Sequence, residues 1–281
     1  MTAAGDGTLL RLTAFSTRPE GGNPAGVWIG DHHPDAATMQ RIAAEVGFSE
    51  TAFVAPARGE RRDVRYFSPL AEVPFCGHAT IASAVALGQR DGEGSYLFAT
   101  AAGDVPVEVR RSDGQFVAAL TSVEPRQAPI DDQHLDAILD LLGWSRAELD
   151  PMIPPARAFA GAWHLVLAAN SLARLQNLSY DFGRLQATMR AEDLTTLQLI
   201  WRESAGVFHS RNPFPVGGVV EDPATGAAAA ALGGYLRALG AVTPPATITI
   251  RQGEAMGRAS RLEVDIPKTG GIVVRGTAVT L

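Results

Sequence analysis

Four side chains that can carry protons or act as nucleophiles lie at the ends of predicted helices and strands. Glu50 follows a predicted helix end at Gly47 and precedes an apolar strand, so it lies at the mouth of that strand. Cys76 and His78 precede one run of small apolar residues, and Asp222 precedes a second run. A carboxylate at the edge of a dry cleft can both take and give a proton, because burial raises its proton affinity towards neutral pH. These residue types in these positions indicate general acid/base chemistry.

Each of these side chains also has an ordinary structural explanation. A glutamate at an arbitrary position is most often a solvated surface charge, and His78 could be a satisfied core residue. Asp222 could be only a helix cap, and Cys76 only a small buried hydrophobic residue. The other histidines lack metal-ligand spacing along the chain, and the sequence contains no P-loop and no G-x-S-x-G motif. The sequence therefore predicts no metal site.

Two runs of small apolar residues predict two helices that have no face suited to water. The first follows the polar turn Cys76–His78 and is predicted over Ala79–Leu87, with Gly88 as its C-cap. The second is predicted over Ala227–Leu239. Each helix is expected at the centre of its own domain, and both N-termini are expected to face one cleft. The similarity of the two runs indicates an internal duplication.

The start of the second helix carries signals of its own. Asp222 occupies the predicted N-cap position and Pro223 the first helical position, and alanines with the highest helix propensity follow. A buried helix start presents unpaired N–H groups, here near Thr225, Gly226 and Ala227. A bound carboxylate would satisfy these groups, because the positive end of the helix dipole favours an anion. This helix start is therefore predicted to bind substrate.

The chain has 281 residues, of which 46% are hydrophobic and 19% are charged. This length and composition favour two domains. They are predicted over residues 1–124 and 125–281. The last strand, about 270–281, is expected to be able to return to the first domain. The pattern of strands and helices predicts an α/β (α+β) fold with two pseudo-symmetric domains. Each domain is expected to be a curled, mostly antiparallel sheet wrapped round its apolar helix, with the active site in the cleft between the domains.

The formal net charge is −6, and the chain has no block of basic residues. This charge argues against nucleic acid and anionic membranes as partners. The N-terminal segment lacks the pattern of a signal peptide, and no apolar run approaches the roughly 18 residues that span a membrane. The sequence therefore predicts a cytoplasmic protein that acts on a small molecule.

Five short motifs are spread over nearly the whole chain. They are GNPAGV at Gly22–Val27, FSETAFV at Phe48–Val54, PFCGHAT at Pro74–Thr80, EDPATG at Glu221–Gly226 and QGEAMGR at Gln252–Arg258. Each motif is weak alone, but together and in this order they resemble the family of the phenazine-biosynthesis isomerase PhzF. The resemblance implies the fold of diaminopimelate epimerase, no metal, no organic cofactor and a homodimer.

The resemblance also implies roles for single residues. Glu50 matches the glutamate that acts as the acid/base in the phenazine enzymes, where it moves a proton on a dihydro-hydroxyanthranilate. His78 and Asp222 match the other two catalytic positions. Ser49, Gly77 and the backbone around Gly226 match positions that hold the polar groups of the substrate. The implied activity is a biosynthetic isomerase that moves a proton by acid/base catalysis.

Further residues complete the predicted substrate-binding set. They are Cys76, Thr225, Ala227 and Arg211, the last because it precedes the EDPATG motif and could meet a substrate anion. At Ala227 many family members carry serine, so one hydroxyl contact is missing here. Cys76 lies where the epimerases place one catalytic thiol, but the chain has no second cysteine, which excludes a two-thiol racemase within one chain.

Two alternatives to a proton-moving isomerase stay open at this point. One is a one-thiol epimerase or lyase that uses Cys76 on the same fold. The other is a non-catalytic protein that binds a small carboxylate-bearing molecule. The set of Glu50, His78 and Asp222 favours the isomerase over the binding protein.

Overall fold

The structure is a computed structural model that describes residues 7–57 and 59–281. The chain forms two compact units. The first unit contains the described residues up to Thr121 together with Arg275–Leu281, and the second contains Ser122–Val274. The last strand thus contributes most of its residues to the first unit.

Strands outnumber helices in both units. In chain order, the elements up to Thr121 are β1 (Gly7–Ala14), β2 (Asn23–Gly30), α1 (Ala36–Val46), β3 (Glu50–Pro56), β4 (Arg61–Phe67), β5 (Glu72–Val73), α2 (Gly77–Asp91), β6 (Gly94–Thr100), β7 (Gly103–Ser112) and β8 (Gln115–Thr121). The following elements are β9 (Arg126–Ala128), α3 (Asp132–Leu142), β10 (Ala156–Phe159), β11 (Trp163–Ala168), α4 (Leu172–Gln176), α5 (Phe182–Ala191), β12 (Thr196–Ser204), β13 (Val207–Phe214), β14 (Val219–Asp222), α6 (Gly226–Leu239), β15 (Ala246–Gln252), β16 (Ser260–Ile266) and β17 (Val273–Thr280). Within the described ranges, no helix has the length and apolar character needed to cross a membrane.

The two units share one order of strand pairings. In the first unit, β1 and β2 are antiparallel, β2 and β3 parallel, β3 and β4 antiparallel, β4 and β6 parallel, and β6 and β7 antiparallel. In the second unit, the same alternation runs through β10, β11, β12, β13, β15 and β16. Each unit also has a short strand, β5 or β14, directly before its long apolar helix. The pairings confirm the mostly antiparallel sheets, and the repeat in topology is what the predicted duplication would produce.

The long apolar helices are buried, as predicted. In α2 every residue from His78 to Gly88 is buried, and in α6 every residue from Ala228 to Leu236 is buried. Strands of the same unit cover each helix: β1, β2, β3, β7 and β8 pack on α2, and β9, β10, β11 and β16 pack on α6. Small side chains allow this close approach on every side of a helix.

The predicted end of the first helix is wrong. Gly88 is not a C-cap, because α2 continues to Asp91 and is capped by Gly92. Gly88 instead lies where the helix meets the sheet: a Cβ atom at this position would be 2.5 Å from Val109 Cγ1 and 2.9 Å from Phe116 Cδ1. Glycine is therefore required here for packing and not for a helix stop.

The predicted start of the second helix is also wrong. Asp222 is the last residue of β14 and pairs with Asn212 of β13, so it does not cap α6. Thr225 is the N-cap, and its side chain makes no capping hydrogen bond. Pro223 correspondingly precedes the helix. The chain makes a turn between β14 and α6, and Gln252, which lies later in the sequence, stabilises this turn.

Gln252, the last residue of β15, holds the turn that precedes α6. Its Oε1 accepts a hydrogen bond from the Thr225 N–H (3.2 Å), and its Nε2 donates to the Asp222 carbonyl (2.7 Å). Gln252 is 1% exposed, so these polar groups have little access to water. The adjacent Gly253 has φ 75°, and a Cβ atom there would lie 2.7 Å from the Pro223 carbonyl oxygen. One side-chain amide thus satisfies two backbone groups of a buried turn.

We predict that Gly88→Ala destabilises the protein by a net amount of up to about 2 kcal/mol. Overpacking against Val109 and Phe116 costs about 1–3 kcal/mol and exceeds the gain of about 1 kcal/mol in helix propensity. The measurement is urea unfolding. Gly183→Ala is the matched control, because Gly183 is exposed in α5 and its nearest neighbour to a new Cβ lies at 3.7 Å. The control is expected to stabilise by about 0.4–1 kcal/mol, and equal gains for both variants would contradict the packing argument.

We predict that Gln252→Ala lowers the free energy of unfolding by about 1–3 kcal/mol, because it leaves buried backbone groups of the turn without a partner. Gln133→Ala, at an exposed position of α3, is the control and should change it by less than about 0.5 kcal/mol. The measurement is the midpoint and slope of urea unfolding. A midpoint for Gln252→Ala equal to that of the control would show that the turn does not depend on this amide.

Candidate active site

Four of the predicted site residues meet in the first unit. Glu50 is the first residue of β3, Cys76 is the N-cap of α2, and His78 lies in the first turn of that helix. Glu50 Oε2 lies 3.4 Å from His78 Nε2 and 3.5 Å from Cys76 Sγ. Cys76 Sγ lies 3.3 Å from His78 Nδ1, and Ser49 Oγ lies 3.4 Å from His78 Nε2. The structure thus brings together Ser49, Glu50, Cys76 and His78.

Burial makes this group suitable for proton transfer. The side chain of His78 is 7% exposed and that of Glu50 is 17% exposed, so a small solute can still reach the carboxylate. A carboxylate, an imidazole and a thiol within hydrogen-bond reach of one another can exchange a proton without a large movement. Electrostatic interactions are also stronger here than in bulk water, because the surroundings are largely dry.

The elements that hold this group are themselves firmly placed. Helix α1 ends at Gly47, whose left-handed conformation (φ 72°) turns the chain towards Ser49 and Glu50. In the first turn of α2, Thr80 Oγ1 donates a hydrogen bond to the Cys76 carbonyl (2.7 Å) and contacts the Tyr66 hydroxyl (2.6 Å). Burial raises the pKa of Tyr66, so its phenol stays neutral and can serve as a hydrogen-bond partner. The start of α2 therefore has a fixed position relative to β4.

The predicted site residues of the second unit lie at the start of α6. Asp222 is 9% exposed, and its Oδ2 accepts a hydrogen bond from Thr225 Oγ1 at 2.5 Å. Gly226 is buried, and Ala227 is partly exposed. The sequence predicted that the N–H of Thr225 is open to a substrate carboxylate, but this N–H donates a hydrogen bond to Gln252 Oε1. Asp222 and Thr225 instead form a hydrogen-bonded pair at the helix start.

Arg211 lies in β13, and its charge is already balanced. Its Nε and Nη2 atoms bind the two carboxylate oxygens of Glu221 at 3.0 and 2.5 Å, and its Nη1 donates to the Gln176 carbonyl. The Glu221 side chain is 4% exposed, so this bidentate pair is well shielded from water. Arg211 also lines a cavity of about 300 Å³ in the second unit. Its role in substrate binding stays a prediction.

Potential metal ligands converge in the first unit's group of site residues. Within the described residues, Glu50, Cys76 and His78 form a group of three whose ligand atoms all lie within 4.8 Å of one another.

His164 is unsuited to acid/base work near neutral pH, because burial lowers its pKa to about 3 and its Nδ1 is hydrogen-bonded to Thr196 Oγ1.

Gln252 belongs to the second unit's site but is not among the residues predicted from the sequence. It is the first residue of the QGEAMGR motif, so the motif itself pointed to it. No chemistry could be assigned to it, because a glutamine neither titrates nor acts as a nucleophile. Its partners, Asp222 and Thr225, lie about 30 residues earlier in the chain, and only the fold shows that they meet.

Comparisons with known proteins agree along nearly the whole chain. A family model described as phenazine biosynthesis-like protein matches residues 12–281. The chain is 29% identical to the uncharacterized isomerase YfhB of Bacillus subtilis, over 96% of this chain and 95% of that protein. It is 32% identical to a trans-2,3-dihydro-3-hydroxyanthranilate isomerase of Pseudomonas aeruginosa, over 89% of this chain and 87% of that protein.

A solved structure shows the same fold. The crystal structure of a PhzF-family phenazine biosynthesis protein from Bacillus anthracis matches with a TM-score of 0.85 and 24% identity, over 97% of this chain and 96% of that one. The topology repeated in the two units is therefore shared with that protein. Since the family model covers nearly all residues and the Pseudomonas relative is 32% identical, the chain belongs to the phenazine biosynthesis-like protein family.

Proposed function

We propose that the protein is a cofactor-independent isomerase that moves a proton within a small, unsaturated, carboxylate-bearing metabolite. One observation carries this proposal: the Glu50 carboxylate lies 3.4 Å from His78 Nε2 at the start of a buried helix. The family of the chain and its relatives named as isomerases support the reaction class. The resemblance further supports a cytoplasmic homodimer as the working form.

In the proposed mechanism, Glu50 takes a proton from a carbon atom of the substrate. The electron pair of the broken C–H bond moves into the conjugated system, and a distant carbon of the same molecule becomes basic. Glu50 then returns the proton to that carbon, so the molecular formula is unchanged. His78 serves as a hydrogen-bond donor or as a second proton carrier. Asp222 belongs to the second unit, and its part in the reaction stays a prediction.

The remaining predicted residues are proposed to hold the substrate. Ser49 precedes Glu50 in the chain and its Oγ lies 3.4 Å from His78 Nε2, and Gly77 lies between Cys76 and His78 at the start of α2, so both can bind polar groups there. In the second unit, Thr225, Gly226 and Ala227 form the start of α6. At Ala227 a methyl group replaces the hydroxyl that many family members carry. We therefore propose that the substrate differs at the group contacted by that hydroxyl.

A second candidate function has one specific observation in its favour. Cys76 Sγ lies 3.3 Å from His78 Nδ1 and 3.5 Å from Glu50 Oε2, so a thiol stands beside both proton carriers. A one-thiol epimerase or lyase would use this arrangement. Solvent deuterium exchange separates the enzymes from a non-catalytic binding protein, because only an enzyme labels a carbon of a bound candidate ligand.

We predict that Glu50→Gln keeps the fold and ligand binding but slows the reaction by about 10²–10⁴-fold. Glutamine has nearly the same shape and can still form hydrogen bonds, but it cannot carry a proton between two carbons. The measurements are the single-turnover rate, ligand affinity and thermal melting. Glu45→Gln is the matched control: Glu45 is exposed on α1 and pairs only with Arg41 among the salt bridges of the described residues, so its loss should leave the rate unchanged.

The comparison with Asp222→Asn decides which unit supplies the proton carrier. Asparagine can still accept the hydrogen bond from Thr225 Oγ1, so the fold should survive. Normal turnover in Glu50→Gln together with a well-folded but inactive Asp222→Asn would assign the proton carrier to Asp222 and contradict the proposed mechanism.

We predict that Cys76→Ala retains most of the activity, because the proposed mechanism uses the carboxylate and the chain has no partner thiol. The measurement is kcat/KM, with thermal melting to establish that the fold is intact. A loss of more than about 100-fold in kcat/KM in a folded variant would favour the thiol mechanism, since such a loss shows that the thiol stabilises the transition state.

A further inference from the structure

Three different metal-binding side chains converge in the first unit, although nothing in their sequence spacing predicts it. Glu50 is 26 residues before Cys76, and the histidine follows two residues later. The spacing of possible ligands along the chain therefore predicts no metal site. The pairing of β3 and the start of α2 within one unit creates the cluster instead.

The distances within the cluster match those of a metal's coordination shell. Zinc bonds of about 2.3 Å to sulfur, 2.0–2.1 Å to nitrogen and 2.0–2.2 Å to oxygen, at tetrahedral angles, place a nitrogen and an oxygen ligand about 3.4 Å apart and sulfur about 3.6 Å from either. In the structure, His78 Nε2 and Glu50 Oε2 are 3.4 Å apart. Cys76 Sγ lies 3.5 Å from Glu50 Oε2 and 3.8 Å from His78 Nε2. Cys76 Sγ also lies 3.3 Å from His78 Nδ1, so the imidazole or the thiol must turn for Nε2 and Sγ to face the same metal ion.

The charges of the cluster also suit a divalent cation. On metal binding, the thiol of Cys76 releases its proton to solvent, and the thiolate and the Glu50 carboxylate together balance two positive charges. The N-terminus of α2 opposes a nearby cation but favours the thiolate, because the helix dipole is positive there. The surroundings are largely dry, which strengthens the attraction between the ligands and the metal.

We propose that Glu50, Cys76 and His78 form a binding site for a borderline or soft divalent cation, best represented by Zn²⁺, and that the bound metal inhibits the enzyme. Zinc accepts thiolate, imidazole and carboxylate ligands together, whereas Mg²⁺ and Ca²⁺ require shells made of oxygen. The metal would occupy the lone pairs of the proton carriers, so the site is inhibitory and not catalytic. The inhibition rests on the proposed function, but the binding does not.

Binding is tested on the full, tag-free chain after treatment with a chelator. Titration with Co²⁺ as a spectroscopic probe should produce a thiolate-to-cobalt charge-transfer absorption that saturates at one metal per chain. Zn²⁺ should remove this absorption by displacement, and Mg²⁺ should not. Calorimetry in buffers of different ionisation enthalpy should show the release of a proton from the thiol. These readouts need neither substrate nor activity.

Variants identify the ligands. Cys76→Ser should abolish the charge-transfer absorption, and Glu50→Gln and His78→Gln should each weaken Zn²⁺ binding by about 100-fold or more, beyond the 10–100-fold typical of residues that only support a ligand. His134→Gln is the matched control, because His134 is half exposed on α3 and its carboxylate partner is Glu192, outside the cluster. Thermal melting establishes that each variant is folded.

Several outcomes would overturn the proposal. They are a missing charge-transfer absorption, an absorption that persists in Cys76→Ser, and Zn²⁺ binding that is equally weakened in the control. Zn²⁺ binding with full catalytic activity would overturn the inhibitory role. If the metal-free protein lacks isomerase activity while Co²⁺ binds through Cys76, the metal site stands and the proposed function fails, so the two failures are distinguishable.

Discussion

The burial of an apolar helix inside each unit is the constraint on which the rest of the structure depends. Helices α2 and α6 are built largely from alanine and other small residues, and strands cover them on several sides. A helix enclosed in this way brings its N-terminal turn into the interior, where every polar group needs a partner. In α6 Gln252 meets this need for one backbone N–H, and in α2 Thr80 and Tyr66 brace the first turn. The same constraint places polar side chains where water is scarce.

The candidate site follows from that placement. Cys76 and His78 are fixed by the start of α2, and Glu50 is fixed by the start of β3. Their separation of 3.3–3.5 Å is short enough for proton transfer and close to the spacing of ligands round a metal ion. Proton transfer and metal binding therefore compete for the same lone pairs. Whatever protects the carboxylate from water also makes it a better metal ligand.

Much of the fold could be predicted from local patterns. Met39, Ile42, Ala43 and Val46 recur at i, i+3, i+4 and i+7, a spacing typical of an amphipathic helix, and in α1 these four residues are buried and Gly47 ends the helix. The small apolar runs predicted the two buried helices, because no other place suits a helix without a polar face. The five motifs predicted the family, which the match over residues 12–281 confirms.

What could not be predicted depends on contacts between distant parts of the chain. Asp222 followed by proline has the pattern of a helix start, but its pairing with Asn212 makes it the end of a strand. Gly88 has the pattern of a helix stop, but the side chains of β7 and β8 decide its role. For the same reason, local patterns could not show the link from Gln252 to Thr225, and only the family resemblance placed Glu50 and Cys76 in one site. Local signals identify elements, whereas tertiary contacts decide how their ends are used.

The return of the last strand to the first unit has a consequence for biosynthesis. Strand β17 pairs with β1 and with β8, so it closes a ring of strands around α2 that its own unit cannot close without it. During synthesis, the residues up to Thr121 leave the ribosome long before Arg275–Leu281 are made. Until then, β1 and β8 present unpaired edges that can pair with other chains. The first unit of a nascent chain thus depends on residues made much later, and a chain that stops before them would leave the edges of β1 and β8 open to pairing with other chains.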